Sequence, residues 1–220
     1  MKTLARVYII MCSMMLLPSL CLTLHGQKAG DVIMVKPQEV QKNFYAQEIP
    51  ESVFLRMQGK SYPKGCTVQR SDLRYLRVLH INKEGKTQVG EMVCNKAISA
   101  DLIDIFRQLY DARYPIERMV LIDDYDAKDD ESMAANNTSC FCYRMMTGSS
   151  KRISKHGLGL AVDINPKDNP YVKGKTVKPR GAKLPPAINR SSLPYRLFTE
   201  KGFRWGGAWR TVKDYQHFEK

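Results

Sequence analysis

Several familiar signatures are missing from this chain of 220 residues. No segment repeats at a fixed period, which removes solenoid and repeat-array architectures. No Cys-x-x-Cys spacing occurs: Cys140 and Cys142 are separated by one residue, so neither a redox pair nor a zinc knuckle is built on them, and they read as small buried thiols. Residues 123–130 hold five aspartates but lack the glycine and closing glutamate of an EF-hand loop, so a solvated turn is the expectation there. No recognisable nucleic-acid-binding motif accompanies the basic composition. Histidine is scarce, with four residues, and a site built on imidazoles has few positions to draw on. His80 has no acidic or histidine neighbour nearby and reads as a satisfied, partly buried side chain.

The N-terminal stretch is a different matter. Lys2 and Arg6 precede an apolar run over residues 7–24, and Gly26 offers a small residue before Gln27, the layout of a secretory leader over residues 1–26. A retained membrane anchor is the competing reading, since the run nearly matches a bilayer in length. Nothing after Gln27 resembles a stop-transfer flank, which favours cleavage and leaves no stable membrane span in the mature chain. Cys21 raises lipid attachment as a third option, but Leu20 is bulky where a small residue belongs. Export to the periplasm or the extracellular side is therefore expected. In that oxidising setting Cys66, Cys94, Cys140 and Cys142 allow three pairings, of which Cys66 with Cys94 is plausible. The formal charge of +13 falls by two once Lys2 and Arg6 are removed. A strongly basic exported protein is drawn to polyanions such as wall polymers, lipopolysaccharide or anionic membrane faces, and nucleic acid is not the expected partner.

Length suits one domain with a sizeable core, or at most two small ones. Residues 27–65, punctuated by Pro37, Pro50 and Pro63, read as an extended lead-in with one short helix, and residues 66–220 as the main domain. Alternating Leu73, Tyr75, Leu79 and Ile81, a polar turn at residues 82–86, and Met92 with Val93 predict a hairpin. Ser99 is the expected N-cap of a helix to about Arg113, whose core stripe is Leu102, Ile105, Phe106, Leu109 and Tyr110. Residues 119–122 suit a buried strand, and residues 159–164 another, with Leu160, Val162 and Ile164 on one side and Ala161 and Asp163 on the other. Residues 165–192 show no period and read as a long functional or mobile loop. Ser192 and Pro194 open a last helix that ends at Gly202, and residues 214–219 read as a terminal strand. The pattern gives a single α+β domain with a small antiparallel sheet and helices packed on one side.

Against this frame stand His156 and Asp163, six residues further on, and a distant His217 with Asp214 three residues before it. Two imidazoles and a carboxylate are the ligand inventory of a catalytic zinc site, which keeps a fourth position open. Gly157 and Gly159 let the chain bend between the first two. A carboxylate at Asp214 can take a proton from water, or instead orient a ligand histidine by hydrogen bonding.

The motifs Ser-x-His-x-x-Gly-x-Ala-x-Asp over residues 154–163, Trp-Gly-Gly-x-Trp over residues 205–209 and Asp-x-x-His-Phe-Glu over residues 214–219 closely resemble the zinc D-alanyl-D-alanine carboxypeptidase family. That family includes D,D-dipeptidases and L-alanyl-D-glutamate endopeptidases and shares its fold with the hedgehog signalling domain. The resemblance runs from about residue 119 to the C-terminus. It implies zinc held by His156, Asp163 and His217, with Asp214 as general base where many members have Glu. It also implies an arginine on a strand before the first ligand, matched by Arg144 at the end of residues 138–144, to grip a carboxylate or oxyanion. Ser154 is a candidate substrate contact, with an ordinary loop hydrogen bond as its alternative. The function so implied is an exported zinc metallopeptidase acting on peptidoglycan stem peptides, of the D-Ala-D-Ala carboxypeptidase or L-Ala-D-Glu endopeptidase type. The rivals are a non-catalytic zinc-containing wall-binding module and a metal-free polyanion-binding domain.

Overall fold

The computed structural model describes residues 26–146 and 148–220. The leader reading falls on residues 1–25, outside that range. In the segment read as a lead-in, the chain forms β1 (Tyr45–Gln47) and α1 (Glu51–Met57), and Ile33 and Phe44 reach into the main core. The expected hairpin is present: β2 (Leu73–Ile81) and β3 (Thr87–Asn95) pair antiparallel from Leu73↔Asn95 to Ile81↔Thr87. Its turn is tied by the Asn82 carboxamide oxygen, which accepts from the amides of Glu84 and Lys86. β1 adds to the other edge of β2, giving the order β1-β2-β3.

Helix α2 (Lys96–Asp111) follows β3 without a loop. Its cap is therefore Asn95 and not Ser99: the last strand residue is extended, and its side-chain oxygen accepts from the Ala97 amide at 3.0 Å. Ser99 sits inside the first turn and donates to the Lys96 carbonyl. The stripe of Ile98, Leu102, Ile105, Phe106 and Leu109 packs against Leu76, Val78, Val89 and Met92 of the sheet, with Tyr110 at its margin. Burying each of these large side chains stabilises the fold by roughly 1.5–3 kcal/mol.

Residues 119–122 are buried as expected but are not a strand. Main-chain pairing to β3 is limited to the Glu91 amide on the Met119 carbonyl, and the Asn137 carboxamide brackets Val120 on both its N–H and its C=O. A side chain has taken the place of a neighbouring strand. The chain then turns through a 3-10 segment (Ile122–Tyr125) into α3 (Asp129–Ala134). The acidic residues here are paired and not simply solvated. Asp123 is buried and accepts from the Ser61 amide, while Asp124, Asp126, Asp129 and Asp130 meet Arg56, Lys60, Arg144 and Lys178.

The C-terminal half adds β4 (Ala161–Asp163), β5 (Tyr171–Lys173), β6 (Thr176–Lys178), α4 (Leu193–Glu200), β7 (Arg204–Trp205), β8 (Lys213–Asp214) and β9 (His217–Glu219). They form two further antiparallel sheets, β4-β9-β7 and β6-β5-β8. Residues 165–192 are thus not one structureless loop but contain the β5–β6 hairpin. The terminal strand is split as well: Asp214 pairs with Tyr171, whereas His217 pairs with Asp163. Phe218, between the two site-facing residues of β9, stacks on Phe198 of α4 at 4.4 Å and anchors this sheet to the main core.

The architecture is a single α+β domain with small antiparallel sheets. Among the described residues no helix is long and apolar enough to cross a membrane. Cys66, Cys94, Cys140 and Cys142 are all free thiols, so the plausible Cys66–Cys94 bridge is not formed. Strand alternation explains this: Val93 faces the smaller cluster that Cys66 packs on, and Cys94 points to the opposite side, into the main core. Cys140 and Cys142 are buried, as expected.

Candidate metal centre

His156 enters the site from a tight turn. The Ser154 hydroxyl accepts from the Gly157 amide at 2.9 Å and closes it. Gly157 admits no side chain, because a Cβ would come within 2.7 Å of the Arg144 carbonyl oxygen. Gly159 combines φ +69° with a Cβ position 2.7 Å from the Asn95 amide nitrogen, so the turn lies flat on the junction of β3 and α2. The bend expected of these glycines is therefore as much a matter of close approach as of torsional freedom.

Asp163 and His217 face each other across the β4–β9 ladder. Three potential ligand atoms converge: His156 Nε2 lies 3.2 Å from His217 Nδ1 and 3.2 Å from Asp163 Oδ1, and His217 Nδ1 lies 3.0 Å from Asp163 Oδ1. This is the cluster among the described residues suited to hold a metal ion, and all three side chains are buried. A tetrahedral zinc with N and O ligands at about 2.0–2.1 Å needs its ligand atoms roughly 3.3 Å apart, so the triangle is close to the right size. The donor set fits too. Three acceptor atoms at this separation repel one another unless a proton or a cation lies among them.

Both rings are oriented from behind. His156 Nδ1 is 2.7 Å from the Cys140 carbonyl, which accepts its N–H and leaves Nε2 unprotonated with its lone pair turned to the cluster. His217 has the opposite arrangement, with Nε2 3.3 Å from Glu219 Oε2 and Nδ1 turned to the cluster. Electrostatics agree with this crowding. Burial opposes charge on His217, yet Asp163 and Glu219 push its pKa up to about 10. Burial likewise opposes ionisation of Asp163, but the two imidazoles hold its carboxyl well below the usual range.

Asp214 stands beside this cluster. A Cβ on Gly206 would lie 2.9 Å from Asp214 Cβ and 3.2 Å from His217 Cβ, so the missing side chain lets both residues share one small space. Asp214 Oδ1 is buried with no hydrogen-bond partner. Burial, reinforced by the charge of Asp163, pushes its pKa up to about 7.

Arg144 and Ser154 are placed differently. Residues 138–144 are extended but form no strand, because successive amides bond to different elements: Thr138 to Arg118, Phe141 to Val93, Cys142 to His156 and Tyr143 to Ser61. The Arg144 guanidinium is half-buried, pairs through Nη2 with Asp129 at 2.8 Å, and is kept charged by Asp129 with a further contribution from Asp163. Ser154 holds the His156 turn together and donates its amide to the Arg144 carbonyl, the ordinary loop role. Asp129, Glu219 and the Cys140 carbonyl carried no assignment from sequence. Of these Glu219 had a signal, since it is two residues from His217 on a strand and must share its face.

No curated protein and no solved structure matches the chain. Residues 147–220 match the family model described as D-alanyl-D-alanine carboxypeptidase. The matched region contains His156, Asp163, Asp214 and His217, while Arg144 lies just ahead of it. Over that C-terminal third the chain is similar to the D-alanyl-D-alanine carboxypeptidase family.

Proposed function

We propose that the protein is an exported zinc peptidase that hydrolyses peptide bonds of peptidoglycan stem peptides, at the D-Ala-D-Ala bond by the family description. The observation that carries this reading is the buried triangle of His156, Asp163 and His217 with Asp214 at its side, one carboxylate oxygen of which is buried without a hydrogen-bond partner. His156 Nε2, Asp163 Oδ1 and His217 Nδ1 would hold the ion. Zinc bound there supplies a Lewis acid that polarises the scissile carbonyl and makes water more acidic.

The chain's own residues do the rest. Asp214, poised near neutrality by burial and by Asp163, accepts the proton of the attacking water and returns it to the leaving amine. A purely structural metal site has no use for such a group, and this argues against the non-catalytic module. Arg144, fixed by Asp129, offers a permanent positive charge to a substrate carboxylate or developing oxyanion. Trp209, whose ring lies 5.2 Å from that of His217, forms an apolar side to the site. The basic composition and the leader-like sequence of residues 1–26 suit a substrate in the cell wall.

Digestion of purified muropeptides, with and without chelator and beside His156→Ala, tests the reading. Loss of one terminal D-alanine is expected, abolished by chelator and by the substitution. Cleavage between L-alanine and D-glutamate would move the protein to the endopeptidase class, and products undiminished in His156→Ala would sink the zinc mechanism. No cleavage by folded, zinc-loaded protein would favour the binding module.

A further inference from the structure

His217 has two ring nitrogens with different surroundings. Nδ1 faces Asp163 Oδ1 and His156 Nε2, at 3.0 and 3.2 Å, and Nε2 faces Glu219 Oε2 at 3.3 Å. A neutral imidazole that offers Nδ1 as a donor atom to a metal must carry its proton on Nε2. That proton needs an acceptor, since the ring is buried. Glu219 is the acceptor present, and it is itself held: its other oxygen, Oε1, receives the Arg204 guanidinium at 2.7 Å. The hold comes from sheet register. Arg204 and Glu219 are directly opposed in the β7–β9 ladder, and His217 and Glu219 lie on one face of β9 while Phe218 points into the core. His156 uses the other tautomer and a main-chain carbonyl for the same purpose. Only the Glu219 arrangement is a charged, side-chain relay that a single substitution can remove.

We propose that Glu219, clamped by Arg204, is a positioning residue that fixes His217 in the tautomer presenting Nδ1 to the metal. The inference rests on the reading of His217 as a ligand and deepens it. A carboxylate behind a ligand imidazole orients the ring and raises its basicity, and its loss weakens metal binding by roughly 10–100-fold in comparable sites.

Zinc affinity of the full chain, measured by competition with a chromophoric chelator, is compared among wild type, Glu219→Ala, Glu219→Gln, Arg204→Ala and His217→Ala. Glu219→Ala is expected to bind zinc about 10–100-fold more weakly, with Glu219→Gln and Arg204→Ala in between because an acceptor remains. The His217 Nε2–H signal in 1H–15N spectra of the zinc-loaded protein should lie downfield in wild type, move upfield in Glu219→Gln, and exchange away in Glu219→Ala. Thermal unfolding of the metal-free forms separates this from general damage, and Glu219→Gln decides alone if the alanine variant does not fold. Wild-type affinity and an unmoved Nε2–H signal in the Glu219 variants would overturn the inference while leaving the metal centre intact. A wild type that binds no zinc, or a His217→Ala variant that binds it as tightly, would overturn the metal reading itself.

Discussion

Asp214 carries an oxygen buried without a partner, beside a carboxylate that raises its proton affinity. A side chain kept for stability alone would have been given a donor, because an unpaired buried acceptor costs about 1–3 kcal/mol. Asp214→Asn is therefore expected to lower turnover about 10²–10⁴-fold with zinc content unchanged, read by kinetics and metal analysis on one sample. Loss of zinc in step with activity would instead make Asp214 a support of the ligands. Gly206 lets β8 come close to His217, which brings the short Asp214 side chain beside the cluster. The sequence named His156, Asp163, His217 and Asp214 through their motifs. It did not name the partners behind the rings, because a main-chain carbonyl at Cys140 has no residue signature and the register that brings Arg204 to Glu219 exists only once β7 and β9 pair.

At the scale of elements, what was legible depended on how much apolar pattern each segment carries. The β2–β3 hairpin and α2 bury long periodic stripes, and both lie where periodicity put them. The start of α2 was misplaced because a strand that runs straight into a helix puts the cap on its own last residue, Asn95. Residues 119–122 have the composition of a strand, but the Asn137 carboxamide occupies the hydrogen bonds a strand would need. The β5–β6 hairpin has three residues a side and charged or polar positions at its end, too little pattern to separate from a loop. One glycine ties these small elements together. Gly206→Ala drives a methyl group against the Asp214 carbonyl oxygen and the Cβ atoms of Asp214 and His217. A loss of about 1–3 kcal/mol is expected from such overpacking, together with weaker zinc binding, both readable by denaturant titration with and without metal. Unchanged stability and affinity would show that β8 can shift without disturbing β9.

Across the whole molecule two chemical dependences follow. His80 is buried on β2 beside Gly90 of β3, donates its Nδ1–H to the Ile116 carbonyl, and leaves Nε2 unpaired. Burial lowers its pKa from 6.5 to about 4. The folded state thus holds it neutral while the unfolded chain takes up a proton below pH 6.5. Its contribution is fully present above that value and is lost as pH falls toward 4, by up to about 3 kcal/mol at roughly 1.4 kcal/mol per unit. Denaturant midpoints at pH 7 and 4.5 should differ by more in wild type than in His80→Gln; an equal difference would assign the acid sensitivity elsewhere. The second, which rests on the proposed metal centre, is a dependence on zinc. Zinc at about 100 times its dissociation constant adds roughly 2.7 kcal/mol to the folded state, so chelator should lower the unfolding temperature of wild type and leave that of His156→Ala unmoved.

Asp214 and His217, three positions apart in sequence, belong to different sheets: Asp214 is braced by the hairpin of residues 171–178, His217 by β4. The proposed proton-handling group and the proposed metal cage thus sit on separate mountings, joined along the chain by Tyr215 and Gln216 and in space across Gly206. A lineage could lengthen, shorten or recharge the hairpin and so retune proton transfer and substrate fit, while the cage keeps its dimensions. On the proposed reading, that division would let the hairpin change without first rebuilding the cage.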